Sequence, residues 1–194
     1  RVTSKGETGG AQRSGWTLPG LGAALLIAAC AGGPGPEPDP LGPEPPDSAE
    51  PEAVWAYLEG IQYRTYWVAE SVSRPGIHRG RPPHGPLIRS YINEKADAGR
   101  PLGKRPLPPG SVVVLEEFTT EPNLHAINVM VKIEGHRQAT SDWAFLQFSP
   151  TGDVRVTDRE AQRLAREESR GCIHCHSRTK KTDLLFQPRL PPRQ

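Results

Sequence analysis

Residues 111–134 read SVVVLEEFTTEPNLHAINVMVKIE, and this stretch holds two consecutive strand patterns. Residues 111–118 form a run rich in β-branched side chains directly after the turn sequence Pro-Pro-Gly. In residues 124–134 the apolar side chains recur at every second position, so the two sides of this strand differ. Ile127, Val129, Val131 and Ile133 lie on one side, and Ala126, Asn128, Met130 and Lys132 lie on the other. Two such strands with a short connection predict an antiparallel pair.

Further strand patterns lie on both sides of this pair. They cover residues 87–93, 143–148 and 154–156, and the last follows the turn sequence Ser-Pro-Thr-Gly-Asp. Residues 74–85 are rich in Gly, Pro and Arg and predict a loop. The order of the segments predicts an α+β fold that is predominantly an antiparallel β-sheet.

Apolar residues at helical spacing predict a helix at each end of this sheet. They are Val54, Leu58 and Ile61 in the first helix, and Ala161, Leu164 and Ala165 in the second. The first helix spans residues 53–68. The second begins at the capping box of Thr157 and Glu160, and Gly171 ends it. It therefore leads directly into the C-terminal sequence RGCIHCH, residues 170–176.

The N-terminal residues have the pattern of an exported lipoprotein. Residues 1–29 combine a cationic start with an apolar run too short to span a bilayer, which predicts a signal peptide. The sequence LLIAAC ending at Cys30 resembles the bacterial lipobox, in which the cysteine is lipidated. The alternative is a buried helix that ends in an ordinary free cysteine. Ala31, which follows in place of aspartate, resembles the outer-membrane sorting pattern, so we expect a lipid anchor on the periplasmic side of that membrane.

Residues 30–52 predict a disordered tether, because they are rich in proline and acidic residues and have no apolar periodicity. Residues 53–194 then form the folded domain, with 21 basic and 15 acidic residues. This mild excess of basic residues, without interleaved aromatic residues, does not favour nucleic-acid binding. It suits a solvated surface or a docking face for an acidic partner protein.

The motif CIHCH contains Cys172, Cys175 and His176, and three kinds of site use such cysteines. A zinc site needs four ligands, usually a second cysteine pair or spaced histidines. A redox dithiol expects a preceding strand, whereas the preceding segment here is helical. Covalent attachment of one haem c explains all three residues, because the two thiols on one turn bind the vinyl groups and His176 ligates the iron.

In their order along the chain, several segments resemble the cytochrome P-460 and cytochrome c′-beta superfamily. They are PHGPLIRSYIN, PLPPGSVVVLEE, AINVMVK, DWAF, and CIHCH followed by KTDLLF. The resemblance covers about residues 53–187 and implies a sheet-rich haem c domain, often a homodimer, with His176 as the proximal ligand. Some members of the superfamily oxidise hydroxylamine, and others bind small gases such as nitric oxide.

The chain departs from the enzyme branch of this superfamily at two positions. Leu115 stands where that branch has a lysine cross-linked to the haem, and leucine has no nucleophilic nitrogen. Asn128 matches the position of a carboxylate in the distal pocket, and an amide is not a general base near neutral pH. Hydroxylamine oxidation by the cross-linked route is therefore disfavoured. Lys132 is the alternative cross-linking lysine, but we expect a strand residue with its amine in solvent.

The sequence leaves the lining and the sixth ligand of the haem open. The aromatic residues Trp143, Phe145 and Phe148 either line the haem pocket or belong to the core. Candidates for a sixth ligand are Met130, His78, His84, His125 and His136. The histidines at positions 78, 84 and 136 have loop surroundings that predict solvated side chains, which favours an open or apolar-capped distal side.

Three functions follow from these expectations. The first is binding of a small gas such as nitric oxide by an exported, membrane-tethered mono-haem protein. The second is electron transfer with a redox partner protein in the periplasm. The third is oxidation of small nitrogen compounds, or peroxidase activity, which requires a base on the distal side of the haem.

Overall fold

A computed structural model describes residues 43–69, 76–99 and 106–186. Within these ranges, seven strands form one sheet and five short α-helices surround it. The strands are β1 (Val68–Ala69), β2 (His78–Arg79), β3 (Leu87–Ile92), β4 (Val112–Phe118), β5 (Leu124–Lys132), β6 (Trp143–Phe148) and β7 (Val154–Val156). The helices are α1 (Pro51–Ile61), α2 (Tyr63–Tyr66), α3 (Glu94–Gly99), α4 (Asp158–Glu167) and α5 (Gly171–His176). Two 3-10 helices, Gln138–Thr140 and Ser177–Thr182, complete the described elements.

The sheet confirms the predicted α+β fold with an antiparallel sheet. Its strands follow the order β1, β3, β4, β5, β6, β7, and β2 also pairs with β3. All of these pairings are antiparallel. In the central register Leu115 of β4 faces Asn128 of β5, and Asn128 in turn faces Gln147 of β6. These three side chains therefore lie side by side on one face of the sheet.

The five strands expected from the sequence all form, and β1, β2 and α3 are additional. β2 lies inside residues 74–85, which were predicted to be loop. A strand of two residues is too short to show any periodicity, so this prediction was wrong there. α3 follows Asn93, whose side-chain oxygen accepts a hydrogen bond from the N–H of Ala96 at 3.1 Å and so acts as a cap.

The predicted N-terminal helix is divided. α1 ends where Gln62 adopts a left-handed conformation with φ of 49°, and α2 starts at the next residue. α1 also begins at Pro51, ahead of the expected domain start, because proline is well suited to the first turn of a helix. Ala49 packs against the core, and Glu44 forms an ion pair with Lys95 at 2.6 Å. The last residues of the predicted tether therefore contact the domain.

The sheet separates two apolar cores. The helix-side core lies between the sheet and α1 and contains Val54, Leu58, Val112, Val114, Ile127, Val129, Val131, Ala144, Leu146 and Phe148. The motif-side core lies on the other face, against α4 and α5, and contains Ile92, Val113, Met130, Trp143, Phe145, Ala161, Ile173 and Leu184. The alternation predicted for β5 is confirmed, because Val129 belongs to the first core and Met130 to the second.

A fully buried carboxylate, that of Glu116, lies on the helix side of β4. It accepts hydrogen bonds from the hydroxyl of Tyr63 at 2.9 Å and from the guanidinium of Arg89 at 2.8 Å, and Arg64 is a third partner. Burial and the nearby Glu116 raise the pKa of Tyr63. The complete pairing explains how Glu116 is accommodated in the core, and it joins α2 to the sheet.

The predicted signal peptide, the lipidation site Cys30 and the first part of the predicted tether lie outside the described residues. Among the residues that the structure describes, no helix is both long enough and apolar enough to cross a bilayer.

Candidate functional site

Helix α4 precedes the CIHCH motif and positions it against the sheet. The hydroxyl of Thr157 accepts a hydrogen bond from the N–H of Glu160 at 3.1 Å, which confirms one half of the predicted capping box, whereas the carboxylate of Glu160 pairs with Arg163 at 2.7 Å. The carboxylate of Asp158 accepts a hydrogen bond from the N–H of Phe145 at 3.0 Å. The start of α4 is thereby fixed to β6, so the motif that follows lies against the motif-side core.

Gly171 makes the turn between α4 and α5. Its φ of 83° lies in the left-handed region, where a side chain is disfavoured. A Cβ added there would also lie 3.3 Å from the Cβ of Leu164. A glycine at this position allows α5 to begin after only three intervening residues and to carry Cys172, Cys175 and His176 on less than two turns of helix.

Both cysteines of the motif are free thiols and half-buried. Burial raises the pKa of the Cys172 thiol, so it stays protonated near neutral pH. Within the described ranges, no group of three or more His, Cys, Asp and Glu side chains is arranged to hold a metal ion. The two thiols and His176 on one short helix agree with the spacing that covalent haem attachment requires.

The ring of His176 has a defined tautomer. Its Nδ1 donates a hydrogen bond to the carbonyl oxygen of Leu184 at 2.6 Å, so Nε2 carries the lone pair. Burial lowers the pKa of His176, which keeps the ring neutral. A neutral imidazole whose other nitrogen is held by a backbone carbonyl is the usual form of a histidine that ligates a metal.

Two residues in left-handed conformations present that carbonyl. Asp183 has φ of 56° and Leu184 has φ of 61°, and this conformation is strained for leucine. Leu184 is buried in the motif-side core, and its N–H donates to the carbonyl of Thr179 at 3.1 Å. The surrounding contacts therefore hold Leu184 in a conformation that it would not adopt alone.

Lys132 and Asp183 form a buried ion pair that fixes this turn. The amine of Lys132 lies 2.8 Å from both carboxylate oxygens of Asp183, and the two residues are only 4% and 3% exposed. Asp183 also accepts a hydrogen bond from the N–H of Leu107 at 2.8 Å. The prediction that the Lys132 amine lies in solvent was wrong, because a carboxylate 51 positions along the chain lies directly opposite it.

The aromatic residues divide between the two faces of the sheet. Trp143 and Phe145 belong to the motif-side core, and the ring of Phe145 lies 5.3 Å from the ring of His176. Phe148 belongs to the helix-side core, where it packs against Trp55 at 5.2 Å. Trp143 is fully buried, and its Nε1–H has no hydrogen-bond partner among the described residues.

Beside these aromatic residues, a chain of polar side chains crosses three strands. Gln147 donates to the oxygen of Asn128 at 2.8 Å, and the amide of Asn128 donates to Glu117 at 2.7 Å. The same oxygen of Glu117 accepts from Nδ1 of His84 at 2.9 Å. Leu115 is half-buried and lies between Val113 and Glu117 on this face of β4. We call Gln147, Asn128, Glu117 and His84 the polar row.

The position of His84 corrects the expectation of a solvated loop side chain. Its ring is half-buried, pairs with Glu117, and lies 6.1 Å from the ring of His176. Glu117 and His84 place a carboxylate and an imidazole on this side of the sheet, and neither was predicted from the sequence as a base there. The alternation of side chains along β4 assigns Glu117 to this face. The contact with His84, which lies in a loop 33 positions earlier, depends on the tertiary fold and cannot be predicted from that alternation.

The other candidate ligands lie in different surroundings. His136 is paired with Asp158 at 3.1 Å, which also corrects the expectation of a solvated side chain. The Nδ1 of His78 lies 3.3 Å from the carbonyl of Gly76, and His125 is exposed at the start of β5. Met130 is buried in the motif-side core.

The residues present suit a haem group attached to the motif. The set comprises two free thiols and a neutral imidazole whose Nε2 lone pair is not used by the Leu184 hydrogen bond. The indole N–H of Trp143, for which the described ranges provide no acceptor, offers a donor to an acceptor group bound nearby. An apolar face formed by Val113, Met130 and Phe145 lies beside them. These features are consistent with an apolar cofactor that carries polar substituents.

Comparison with protein families identifies a match for this chain. A family model described as cytochrome P460 matches residues 62–187, which is more than half of the 194-residue chain. The matched region contains the whole sheet, the polar row and the CIHCH motif, whereas α1 lies before it. No curated protein matches the chain.

Proposed function

Because the chain belongs to the cytochrome P460 family, a family of haem proteins, we propose that it carries one covalent haem c on Cys172 and Cys175. His176 is the proximal ligand of the iron in this proposal. The support is the geometry of α5, where the Nδ1–H of His176 is held by Leu184 and its Nε2 is left for the metal. Haem iron supplies a site that binds diatomic gases or exchanges single electrons.

The protein binds a small gas such as nitric oxide on the side of the iron opposite His176. The observation that carries this proposal is the apolar sheet face beside the His176 ring, which includes Met130 and Phe145. Binding to such a surface costs a small neutral ligand little free energy of dehydration, whereas an anion would lose its hydration shell there at a large cost. Leu115 contributes a further apolar side chain at the edge of the polar row.

Hydroxylamine oxidation through a cross-linked haem is not part of this proposal. Leu115 offers no nucleophilic nitrogen, and the amine of Lys132 is held by both carboxylate oxygens of Asp183. Asn128, which stands at the position of the carboxylate in the enzyme branch, is engaged with Glu117 and Gln147. The residues that the known route requires are therefore absent from their positions or occupied by other contacts.

Electron transfer is the second candidate function. His84 favours it, because an imidazole 6.1 Å from the ring of His176 suits a second axial ligand, which electron carriers generally possess. Exposed Arg178, Lys180 and Lys181 follow the motif directly and give its surroundings a positive charge. This surface suits an acidic redox partner protein.

The cellular setting proposed here is the periplasmic side of a bacterial outer membrane. The support is the lipobox-like sequence before Cys30 and the acidic, proline-rich residues that follow it. Fractionation of cells that express a Cys30→Ser variant should move the protein from the membrane to the soluble fraction, and its retention in the membrane would contradict the anchor. The family resemblance also supports a homodimer, and the composition gives no support for nucleic-acid binding.

Anaerobic titration of the ferrous holoprotein with nitric oxide or carbon monoxide tests the gas-binding function. We expect a shift of the haem absorption bands that saturates at one gas molecule per haem. Spectra that remain unchanged at saturating gas would reject gas binding and favour electron transfer.

A further inference from the structure

Two histidine rings lie close to each other on the motif side of the sheet. The ring centres of His84 and His176 are 6.1 Å apart, and their planes are inclined by 81°. A metal ion bound to the Nε2 atoms of two opposed imidazoles, about 2 Å from each nitrogen, holds the ring centres about 6 Å apart. The observed separation therefore suits two axial ligands of one iron.

Both rings have their Nδ1 atoms occupied by an acceptor. His176 donates from Nδ1 to the carbonyl of Leu184 at 2.6 Å, and His84 donates from Nδ1 to the carboxylate of Glu117 at 2.9 Å. Carbonyl and carboxylate groups are the usual partners of the non-ligating nitrogen in metal-bound histidines. In each residue this arrangement leaves the Nε2 lone pair for a metal.

The orientation of His84 is fixed from two directions. Glu117 is buried and also accepts a hydrogen bond from Asn128, which is in turn held by Gln147 of β6. On the loop itself, the N–H of His84 donates to the carbonyl of Arg81 at 2.9 Å. Through Glu117, Asn128 and Gln147 the imidazole is linked to three strands of the sheet, and the bond to Arg81 holds its own turn. Its position is therefore defined before any ligand binds.

We propose that Nε2 of His84 is the sixth ligand of the haem iron, opposite His176, and that Glu117 is the positioning residue that orients it. This inference rests on the proposed attachment of haem at His176 and deepens the proposed function. A gas then binds only after the bond between His84 and the iron has broken. Gas binding in this protein is an exchange of ligands, and the rate of His84 dissociation limits it.

The first test compares optical and electron paramagnetic resonance spectra of the ferric holoprotein with those of His84→Ala. The expected result is a low-spin spectrum for the wild type and a high-spin spectrum for the variant. His78→Ala is the matched control, because His78 is another half-buried histidine of the same hairpin and should leave the spectrum low-spin. A high-spin wild type, or a low-spin His84→Ala protein, would overturn the proposal.

Rapid mixing of the ferrous proteins with carbon monoxide separates this inference from the proposed function. In the wild type the observed rate should level off as the gas concentration rises, whereas in His84→Ala it should rise linearly. A linear wild-type rate would overturn the exchange. If His84→Ala shows the expected high-spin spectrum but takes up no gas, the axial assignment is supported and the gas-binding function fails.

The role of Glu117 has its own test in Glu117→Gln. This variant keeps an oxygen that can accept from His84 but removes the negative charge. Replacing the carboxylate partner of a metal-bound histidine typically weakens metal binding about 10-fold. The limiting rate of carbon monoxide uptake, which is set by dissociation of His84, should therefore rise by about that factor. An unchanged limiting rate would show that Glu117 does not position His84.

Discussion

The strained backbone of Leu184 shows how single residues determine the orientation of His176. Its left-handed conformation turns the carbonyl toward Nδ1 of His176, and the buried pair of Lys132 and Asp183 stabilises the turn that precedes it. The indole ring of Trp143 lies 5.1 Å from the amine of Lys132 and encloses it further. The lysine that was predicted to lie in solvent therefore supports the turn that orients His176.

Lys132→Met tests this support. The substitution leaves the carboxylate of Asp183 buried without its cation, which should lower the free energy of unfolding by about 3–5 kcal/mol. Urea denaturation of the holoprotein measures the loss. Lys181→Met removes an exposed lysine nearby and should change stability by no more than about 0.5 kcal/mol.

The double variant of Lys132→Met with Asp183→Asn gives a second measurement. Asparagine removes the buried charge and can still accept from the N–H of Leu107, so part of the stability should return. Equal stability of the Lys132→Met and Lys181→Met proteins would contradict the assigned role of the ion pair.

At the scale of secondary-structure elements, local patterns predicted the longer strands and the motif. β5 alternates over nine residues, and CIHCH is contiguous, so no knowledge of the fold is needed to find either. The contact between His84 and Glu117 depends on a turn, a register and a strand pairing together, and no periodicity reports it. The two-residue strand β2, which precedes the turn carrying His84, is likewise invisible to a periodicity argument.

The junction of α4 and α5 provides a prediction at this scale. Gly171→Ala places a side chain in the left-handed region and against Leu164, which should cost about 1–2 kcal/mol. Thermal unfolding should show a lower midpoint, and haem incorporation should fall because the start of α5 shifts. Gly60→Ala is the control, because Gly60 lies in α1 with open space around it and alanine should stabilise the helix by up to about 1 kcal/mol. If the two variants unfold at the same temperature, the assigned role of Gly171 is wrong.

In the whole molecule, the two faces of the sheet differ in the kinds of side chains that they bring together. The helix side buries an apolar core and the fully paired Glu116. The motif side brings together the thiols, two imidazoles and an indole N–H without a partner among the described residues. The family match covers the sheet and the motif, and the haem proposed for this chain lies on this second face.

Mass spectrometry of the denatured full chain, expressed in a host that attaches haem c, tests the proposed attachment of one covalent haem to Cys172 and Cys175. We expect a mass that exceeds the polypeptide by one haem and persists after extraction with acidified organic solvent. The Cys172→Ala/Cys175→Ala double variant should lack this added mass. A wild-type chain with unmodified polypeptide mass after the extraction would show that the two cysteines carry no covalent haem.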